Sequence, residues 1–311
     1  MSNKINIYLA SPRGFCAGVK RAIEIVELAL KKYGPPIYVR HEIVHNKRVV
    51  HQLSKKGAIF VEELEEIPLG SRVIFSAHGV AKEIKKIAKT YKHLTLDATC
   101  PLVSKVHKQT ERYYNKDYKI ILIGHKDHPE VVGIQGQVPQ ELILVQNEKD
   151  AMALQFDEKK KVAYVTQTTL SINDTQNIIK ILKNKFPNIE GPELDDICYA
   201  TQNRQEAAYD LAQKCDLVLV IGSENSSNTK RLSEIVEKNH VRVYRISSAE
   251  EIKKEWLNEV KNVGITAGAS SPEILITETI DFFKNSYKLV NIKTLDGVEE
   301  KTIFKPLLNF S

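Results

Sequence analysis

The sequence predicts an α/β protein made of three related lobes with mostly parallel sheets. Short apolar runs rich in β-branched residues recur along the 311 residues, with amphipathic stretches between them. The runs are continuous rather than alternating, as expected of parallel strands covered on both faces. Three cysteines fall at the same stage of this pattern, each in a polar loop that leads into a helix.

The expected strands are Ile5–Leu9, Ile37–Val39, Val73–Phe75, Leu94–Leu96, Ile120–Ile123, Leu142–Val145, Val162–Val165, Leu217–Ile221, Val241–Ile246 and Val263–Thr266. Between them, Val19, Ile23, Val26 and Leu30 space as one helical face. The stretch after Asn173 reads as a helix capped by Asn173 and stopped at Pro187. Asn46, Asn228 and Ser271 are further expected caps, and Pro101, Pro129 and Pro272 are expected first-turn prolines. Near the end, Val290–Thr294 and Thr302–Lys305 flank Asp296-Gly297 and read as a hairpin.

The cysteine contexts are GFCAGVKRAIEIVELAL, ATCPLVSKVHKQTERYY and DICYATQNRQEAAYDLAQ, and they place Cys16, Cys100 and Cys198 at comparable intervals. One helix and one strand later comes a polar loop: VHNKR, GHKDHPE and GSENSSNTK. The steps from Cys16 to His45, from Cys100 to His128 and from Cys198 to Ser226 are equal to within a single position. A second strand and polar loop follow (FSAHGV, VTQTTLS, TAGASSPE). They place His78, Thr168 and Ser270 at similar steps beyond the same three cysteines. Length alone suggests two domains at about 150 residues each. The repeat instead gives lobes at 1–96, 97–193 and 194–285, with the tail 286–311 expected to return to the first. The bland alternative, that any α/β chain repeats strand, loop and helix, explains the strands better than it explains the cysteines.

Composition narrows the function classes. An apolar fraction of 42% is enough for a core. The excess of 45 basic over 39 acidic residues is scattered, the longest lysine run being Lys159 to Lys161, and no stripe or arm marks a nucleic-acid footprint. The longest aliphatic run, Leu217–Ile221, is far short of the about 20 residues of a membrane span. The N-terminus lacks the apolar segment of a signal peptide. The expectation is a cytoplasmic protein whose cysteines are not disulfides. Even the nearest two of the four cysteines, Cys198 and Cys215, are far apart in sequence, which excludes CxxC ribbons and local ferredoxin-type clusters. There is no GxxxxGK phosphate loop and no GxGxxG.

In parallel sheets, ligands bind beyond the carboxyl ends of the strands, where all these loops fall. Helix N-termini there suit anions and thiolates. Cys16, Cys100 and Cys198 fit either zinc held by three thiolates with one open position or an iron–sulfur cluster with one iron free. Cys215, on an apolar face before Leu217–Ile221, is expected to be packing alone. His41-Glu42-Ile43-Val44-His45 matches the HExxH of zinc hydrolases, but that chemistry needs a helix. Here the segment follows a strand and precedes an expected cap, so it reads as a loop. Glu130, in the loop of His128, could relay protons with Thr168 from a neighbouring loop. Its alternative is a solvated first-turn glutamate.

The blocks PRGFCAGVKRAIE, YVRHEIVHN, FSAHGV, DATCPLVSKVH, GHKDHPEVVGIQGQ, TQTTLS, DDICYATQNRQ, GSENSSNTKRL and TAGASSPE together resemble the LytB/IspH family of 4-hydroxy-3-methylbut-2-enyl diphosphate reductases. The resemblance runs from residue 12 to residue 273. It implies a trefoil of three α/β lobes around a 4Fe–4S cluster whose fourth iron is open to the substrate. Cys16, Cys100 and Cys198 then match the cluster ligands. His45, His78, Ser226, Asn228 and Ser270 match diphosphate-binding positions, and His128 matches a further histidine on that side. Glu130 matches the essential acid and Thr168 its hydroxyl partner, with Ser227, Gln167 and Thr169 as pocket neighbours of lesser role. The implied reaction removes an allylic hydroxyl with two electrons and two protons, giving isopentenyl and dimethylallyl diphosphates as the last step of the non-mevalonate pathway. The implied electron donor is a ferredoxin or flavodoxin. Two competing classes are a non-catalytic iron–sulfur redox sensor and a zinc hydrolase acting through HEIVH.

Overall fold

The computed structural model describes residues 4–156, 160–192 and 196–310. The expected lobe boundary at 193/194 lies outside the described residues. In chain order, the elements are β1 (Lys4–Leu9), α1 (Ala17–Tyr33), β2 (Ile37–Arg40), α2 (Lys47–Lys55), β3 (Ala58–Val61), β4 (Arg72–Phe75), α3 (Lys82–Thr90) and β5 (Leu94–Asp97). Next come α4 (Pro101–Asn115), β6 (Lys119–Ile123), α5 (Pro129–Gln135), β7 (Ile143–Val145), α6 (Glu148–Ala153), β8 (Val162–Thr166) and α7 (Ile172–Lys185). The last are α8 (Tyr199–Ala212), β9 (Leu217–Ile221), α9 (Ser227–Lys238), β10 (Arg242–Ile246), β11 (Asn262–Ala267), α10 (Glu273–Ser286) and β12 (Leu289–Thr294).

All ten expected strands form, joined by β3 and by β12, the first arm of the expected hairpin. The strands make three sheets, ordered β10-β9-β11-β1-β12, β3-β2-β4-β5 and β7-β6-β8. Every pairing between these named strands is parallel. The chain is therefore mixed α/β with three parallel sheets. Among the described residues, no helix is long and apolar enough to cross a membrane.

Residue contacts divide the chain into two compact units, Met1–Ala17, His45–Lys47 and Tyr199–Ile303 in one, and Gly18–Val44, Arg48–Cys198 and Phe304–Ser311 in the other. The first unit holds the five-stranded sheet between two apolar layers. Ile5, Leu219, Ile265 and Phe283 pack on one face, and Leu211, Val218, Val220 and Leu232 on the other. All of β9 is buried, and burying each apolar side chain of this size stabilises the fold by about 2 kcal/mol. The second unit holds the other two sheets. Val73, Phe75 and Ala88 centre one core. Ile121, Tyr164 and Leu182 centre another, and Leu122, Val131 and Val165 lie in the layer on the far side of β6.

A parallel backbone pairing precedes each motif cysteine. β5, before Cys100, pairs with β4. Glu190, shortly before Cys198, bridges in parallel to Ala163 of β8. β1, before Cys16, pairs with β11. So β1, from the 1–96 stretch, belongs to the sheet of β9 to β12, where it lies between β11 and β12.

Several local expectations change. The tail forms no hairpin: β12 pairs in parallel with β1, from Lys4 opposite Leu289 to Leu9 opposite Thr294, and 302–305 has no strand. The open edge of β1 offers a full ladder, which outcompetes a short local hairpin. Gly297, expected as a turn residue, instead passes against the backbone of Ser11, where a Cβ would overlap the carbonyl oxygen. The cap of α7 is Ser171, whose hydroxyl accepts the Asp174 N–H, not Asn173, and its C-cap is Phe186, just before Pro187. Ser226 caps α9 in place of Asn228. Pro272 occupies the N-cap of α10, and Ser271 donates to the Ile221 carbonyl. The buried stripe of α1 runs through Ala22, Ile25, Val26, Ala29 and Leu30, leaving Val19 and Ile23 at its margin.

Candidate active site

Each of the three motif cysteines sits at the N-terminal edge of a helix. Cys100 is the N-cap of α4, with Pro101 at its first position. Cys16 and Cys198 immediately precede α1 and α8. The backbone holds all three in the same way. The Cys16 N–H donates to the Ala269 carbonyl at 3.2 Å, the Cys100 N–H to Ala77 at 3.0 Å, and the Cys198 N–H to Thr168 at 3.1 Å. Each cysteine is thus clamped to a loop that carries an expected pocket residue: Ser270, His78 or Thr168 itself. This repeated bond is the local physical content of the threefold spacing.

The thiols are half-exposed, unlike Cys215, which is buried and has its thiol pushed up to about 12, chiefly by burial. Each motif thiol stands beside the free N–H groups of a helix N-terminus. The Cys100 end is further supported by Arg21, whose buried guanidinium donates to the carbonyls of Thr99 (3.0 Å) and Ala98 (3.3 Å). In the first unit Arg204, 1% exposed, donates twice to the carbonyl of Gly14, close before Cys16. Both arginines also hold the tail. Arg204 pairs with Glu300 through both carboxylate oxygens, at 2.8 and 3.2 Å, and Arg21 donates to the Lys305 carbonyl at 3.1 Å. Neither arginine carries a sequence signal beyond lying on a helix that starts at a motif cysteine.

In the second unit Glu130 is 2% exposed, in the first turn of α5. Its Oε1 accepts the Thr168 N–H at 2.7 Å and its Oε2 the Thr168 hydroxyl at 3.0 Å. Burial raises this carboxyl to about 7, against the lowering effect of the two Thr168 bonds, and the charge of Asp196 raises it further. Asp196 is itself buried and accepts the Thr166 N–H. Glu130 is therefore no solvated surface glutamate. It is a carboxylic acid that holds its proton near neutrality.

His128 caps α5: its Nδ1 accepts the Glu130 N–H at 3.2 Å. A neutral ring in that position carries its proton on Nε2, which makes Nε2 a donor. His78 stands edge-on to it, with ring centroids 6.1 Å apart, and its Nδ1 lies 3.3 Å from the Ser76 hydroxyl. Gln167 is fully buried, and its amide bridges the His125 N–H and the Thr169 hydroxyl. Beneath the His78 loop lies His107 of α4. Gly79, at φ +80°, has no side chain because a Cβ there would meet the His107 ring at 2.6 Å. Burial pushes the His107 imidazole down to about 4, so it is neutral.

The first unit brings together His45, Ser226, Asn228 and Ser270. The Ser270 hydroxyl donates to the His45 carbonyl at 2.9 Å, and the Asn225 amide lies 3.3 Å from His45 Nδ1. The Ser226 hydroxyl accepts the Thr229 N–H, leaving its own proton to donate. Asn228 is 4% exposed, and both its amide oxygen and nitrogen are buried without a hydrogen-bond partner among the described residues. Leaving such groups unpaired is unfavourable by about 1–3 kcal/mol, which marks a place built for a polar ligand. α9 is held at this end by Thr229, which fills the space over Gly222 and Gly268.

The HEIVH segment is not helical, and His41 adopts φ +61°. Its two histidines therefore do not share a helix face, and zincin chemistry is excluded. Among the described residues, no three His, Cys, Asp or Glu side chains gather as ligands of a single metal ion. A polynuclear cluster keeps its thiolates apart on separate irons, so the three motif cysteines are not held to that criterion.

Comparison with known proteins adds findings of three kinds. The family model described as LytB protein matches residues 7–284. The chain is 52% identical over 301 residues to 4-hydroxy-3-methylbut-2-enyl diphosphate reductase 2 of Bradyrhizobium diazoefficiens, covering 97% of each. It is 54% identical over 298 residues to the reductase 1 of Rhodopseudomonas palustris, covering 96% of this chain and 97% of that one. Among solved structures, the E-1-hydroxy-2-methyl-but-2-enyl-4-diphosphate reductase from Plasmodium falciparum matches with TM-score 0.92 at 43% identity, over 96% of this chain and 94% of that one. A second, an (E)-4-hydroxy-3-methyl-but-2-enyl diphosphate reductase described as the terminal enzyme of the non-mevalonate pathway, matches with TM-score 0.65 at 33% identity, over 90% of this chain and 99% of that one.

Proposed function

The chain belongs to the LytB protein family, and from that premise we propose that it catalyses the reaction its relatives are named for. It reduces (E)-4-hydroxy-3-methylbut-2-enyl diphosphate to isopentenyl and dimethylallyl diphosphates, closing the non-mevalonate pathway in the cytoplasm. The allylic hydroxyl takes up two electrons and two protons and leaves as water, and a C–H bond replaces the C–O bond. The observation that carries this reading is Glu130, a buried carboxylic acid raised to about 7 and held by both the backbone and the hydroxyl of Thr168.

In this reading Cys16, Cys100 and Cys198 hold a 4Fe–4S cluster, one thiolate from each lobe. Half-exposed thiols at three helix N-termini are a donor set of the right softness and charge for it. When bound, the cluster supplies electrons singly and a Lewis-acidic iron position that the three thiolates leave open. The rest is the work of side chains. Glu130 delivers a proton to the departing oxygen, and Thr168 keeps the carboxyl aimed. His128 Nε2–H, the Ser226 hydroxyl and the Asn228 amide are neutral, oriented donors for diphosphate oxygens, and His45, His78 and Ser270 line the same ligand, with Ser227 and Thr169 beside it. Histidines carry switchable charge near neutrality, so the site can bind a diphosphate without a fixed lysine or arginine. The electrons come from a ferredoxin or flavodoxin.

Replacing Glu130 by Gln tests the reading in an anaerobic assay with a chemical reductant. Diphosphate binding should persist while turnover falls about 10²–10⁴-fold, the range of a lost general acid. Full turnover in the variant would remove Glu130 as proton source. The redox-sensor alternative gains nothing from this geometry, because a sensor has no use for a carboxyl kept protonated against Thr168, the residue that also holds the Cys198 N–H.

A further inference from the structure

The reductase reading demands electrons, and the chain has no nucleotide-cofactor motif of its own. The second unit carries a surface suited to receive them. A cleft of about 700 Å³ runs between α4 and the tail. Thr99 and Pro101, the two residues bonded to Cys100, are among the residues that line it. Lys105, Lys108 and Arg112 line it and are exposed or partly exposed. They follow one side of α4 over two turns, about 10 Å of helix. Leu307, 65% exposed, lines it from the tail.

The charge of this surface is one-sided. Asp97, at its rim, is occupied by Lys85 at 2.7 Å, and Glu111 of α4 by Lys82 at 2.9 Å. No salt bridge among the described residues engages Lys108 or Arg112. A row of cations spread along the helix with an exposed leucine beside it suits a folded surface rather than a single phosphate group, which would need convergent donors. The presence of Thr99 and Pro101 in the lining puts the cleft next to the backbone of Cys100.

We propose that the cleft between α4 and the tail is the docking surface for a small acidic one-electron carrier protein, which passes its electrons to the cluster through Cys100. The proposal rests on the reductase reading. Two reduced carriers are oxidised per hydroxyl removed, each giving one electron, and the two protons come from Glu130 and solvent. The tail belongs to this surface, although it lies beyond the residues matched by the family model.

The test is steady-state reduction by the anaerobic, cluster-loaded protein with two donors: a reduced acidic [2Fe–2S] ferredoxin and dithionite-reduced methyl viologen. The double variant K108E/R112E should weaken binding of oxidised ferredoxin in calorimetric titration by about ten-fold or more, raise the KM for reduced ferredoxin to match, and flatten the dependence of both on salt. Its turnover with viologen should match wild type, which also reports that the variant is folded. Leu307→Ser should raise the ferredoxin KM alone, and K180E/K183E on the exposed side of α7 should change neither donor's kinetics. Unchanged ferredoxin kinetics in K108E/R112E would overturn the docking surface. Absence of turnover by the wild type with viologen would instead overturn the reductase reading, so the two failures are distinct.

Discussion

The Glu130 carboxyl gives a prediction that needs no substrate. Folding moves it from an ordinary 4.5 to about 7, chiefly through burial. At about 1.4 kcal/mol per pH unit this corresponds to about 3 kcal/mol. Between these two values the unfolded chain has released the proton and the folded chain still binds it. Stability therefore falls as pH rises from 4.5 to about 7, and this contribution levels off above that. Glu130→Gln removes the titration while keeping the contacts: the amide oxygen can accept the Thr168 N–H, and the amide nitrogen can donate to the Thr168 hydroxyl. Every other group cancels when the two proteins are compared. Chemical denaturation of cluster-loaded wild type and variant, held anaerobic from about pH 4.5 to about pH 8, should show the variant gaining about 3 kcal/mol on wild type across that window. A difference independent of pH would mean that Glu130 ionises like a surface carboxyl. A difference of opposite sign would mean that the fold stabilises its carboxylate. Either result refutes its assignment as an acid protonated near neutrality.

Other consequences follow from the same geometry. Replacing Cys16, Cys100 or Cys198 by Ser should abolish bound iron and acid-labile sulfide, whereas Cys215→Ser should leave both intact; loss of iron in the Cys215 variant alone would reverse the ligand assignment. Thr168→Val removes the hydroxyl bond to Glu130 but not the backbone one, so it should destabilise by about 1 kcal/mol in denaturant titration. Because that bond lowers the carboxyl's pKa, its loss should also move the falling limb of the pH–rate profile upward. Glu300→Gln breaks a pair with an arginine that is 1% exposed. It should destabilise by about 3 kcal/mol and speed cluster loss on exposure to air, measured by the decay of visible absorbance.

How much of this was legible in the sequence depended on whether the signal was local. The ten strands were readable because β-branched runs such as Leu217–Ile221 are buried on both faces and so carry no polar alternation. The three cysteines were readable because each opens a helix at a repeated spacing. The place of β1 was not readable, since its partners β11 and β12 lie at the opposite end of the chain and no local signal pairs the two ends. The tail misled for the same reason. Asp-Gly signals a turn where two local strands pair, but the open edge of β1 supplied the better partner, and Gly297 was required by Ser11 instead. Asn173 and Asn228 were good cap residues displaced by Ser171 and Ser226, which is a choice of phase within one turn. Of the candidate site, Glu130 and Thr168 were nameable, but the burial that makes Glu130 an acid was not. Arg21, Arg204, Asp196 and His107 were missed because each acts on backbone or packing behind a motif residue, and no spacing rule marks that role.

The central claim is reductive removal of an allylic hydroxyl by this chain. The most direct measurement is product analysis after anaerobic incubation of the cluster-loaded protein with (E)-4-hydroxy-3-methylbut-2-enyl diphosphate and reduced methyl viologen. The account predicts isopentenyl and dimethylallyl diphosphates together, with two viologen radicals oxidised per molecule formed. Recovery of unchanged substrate from protein carrying its full iron and sulfide would contradict it.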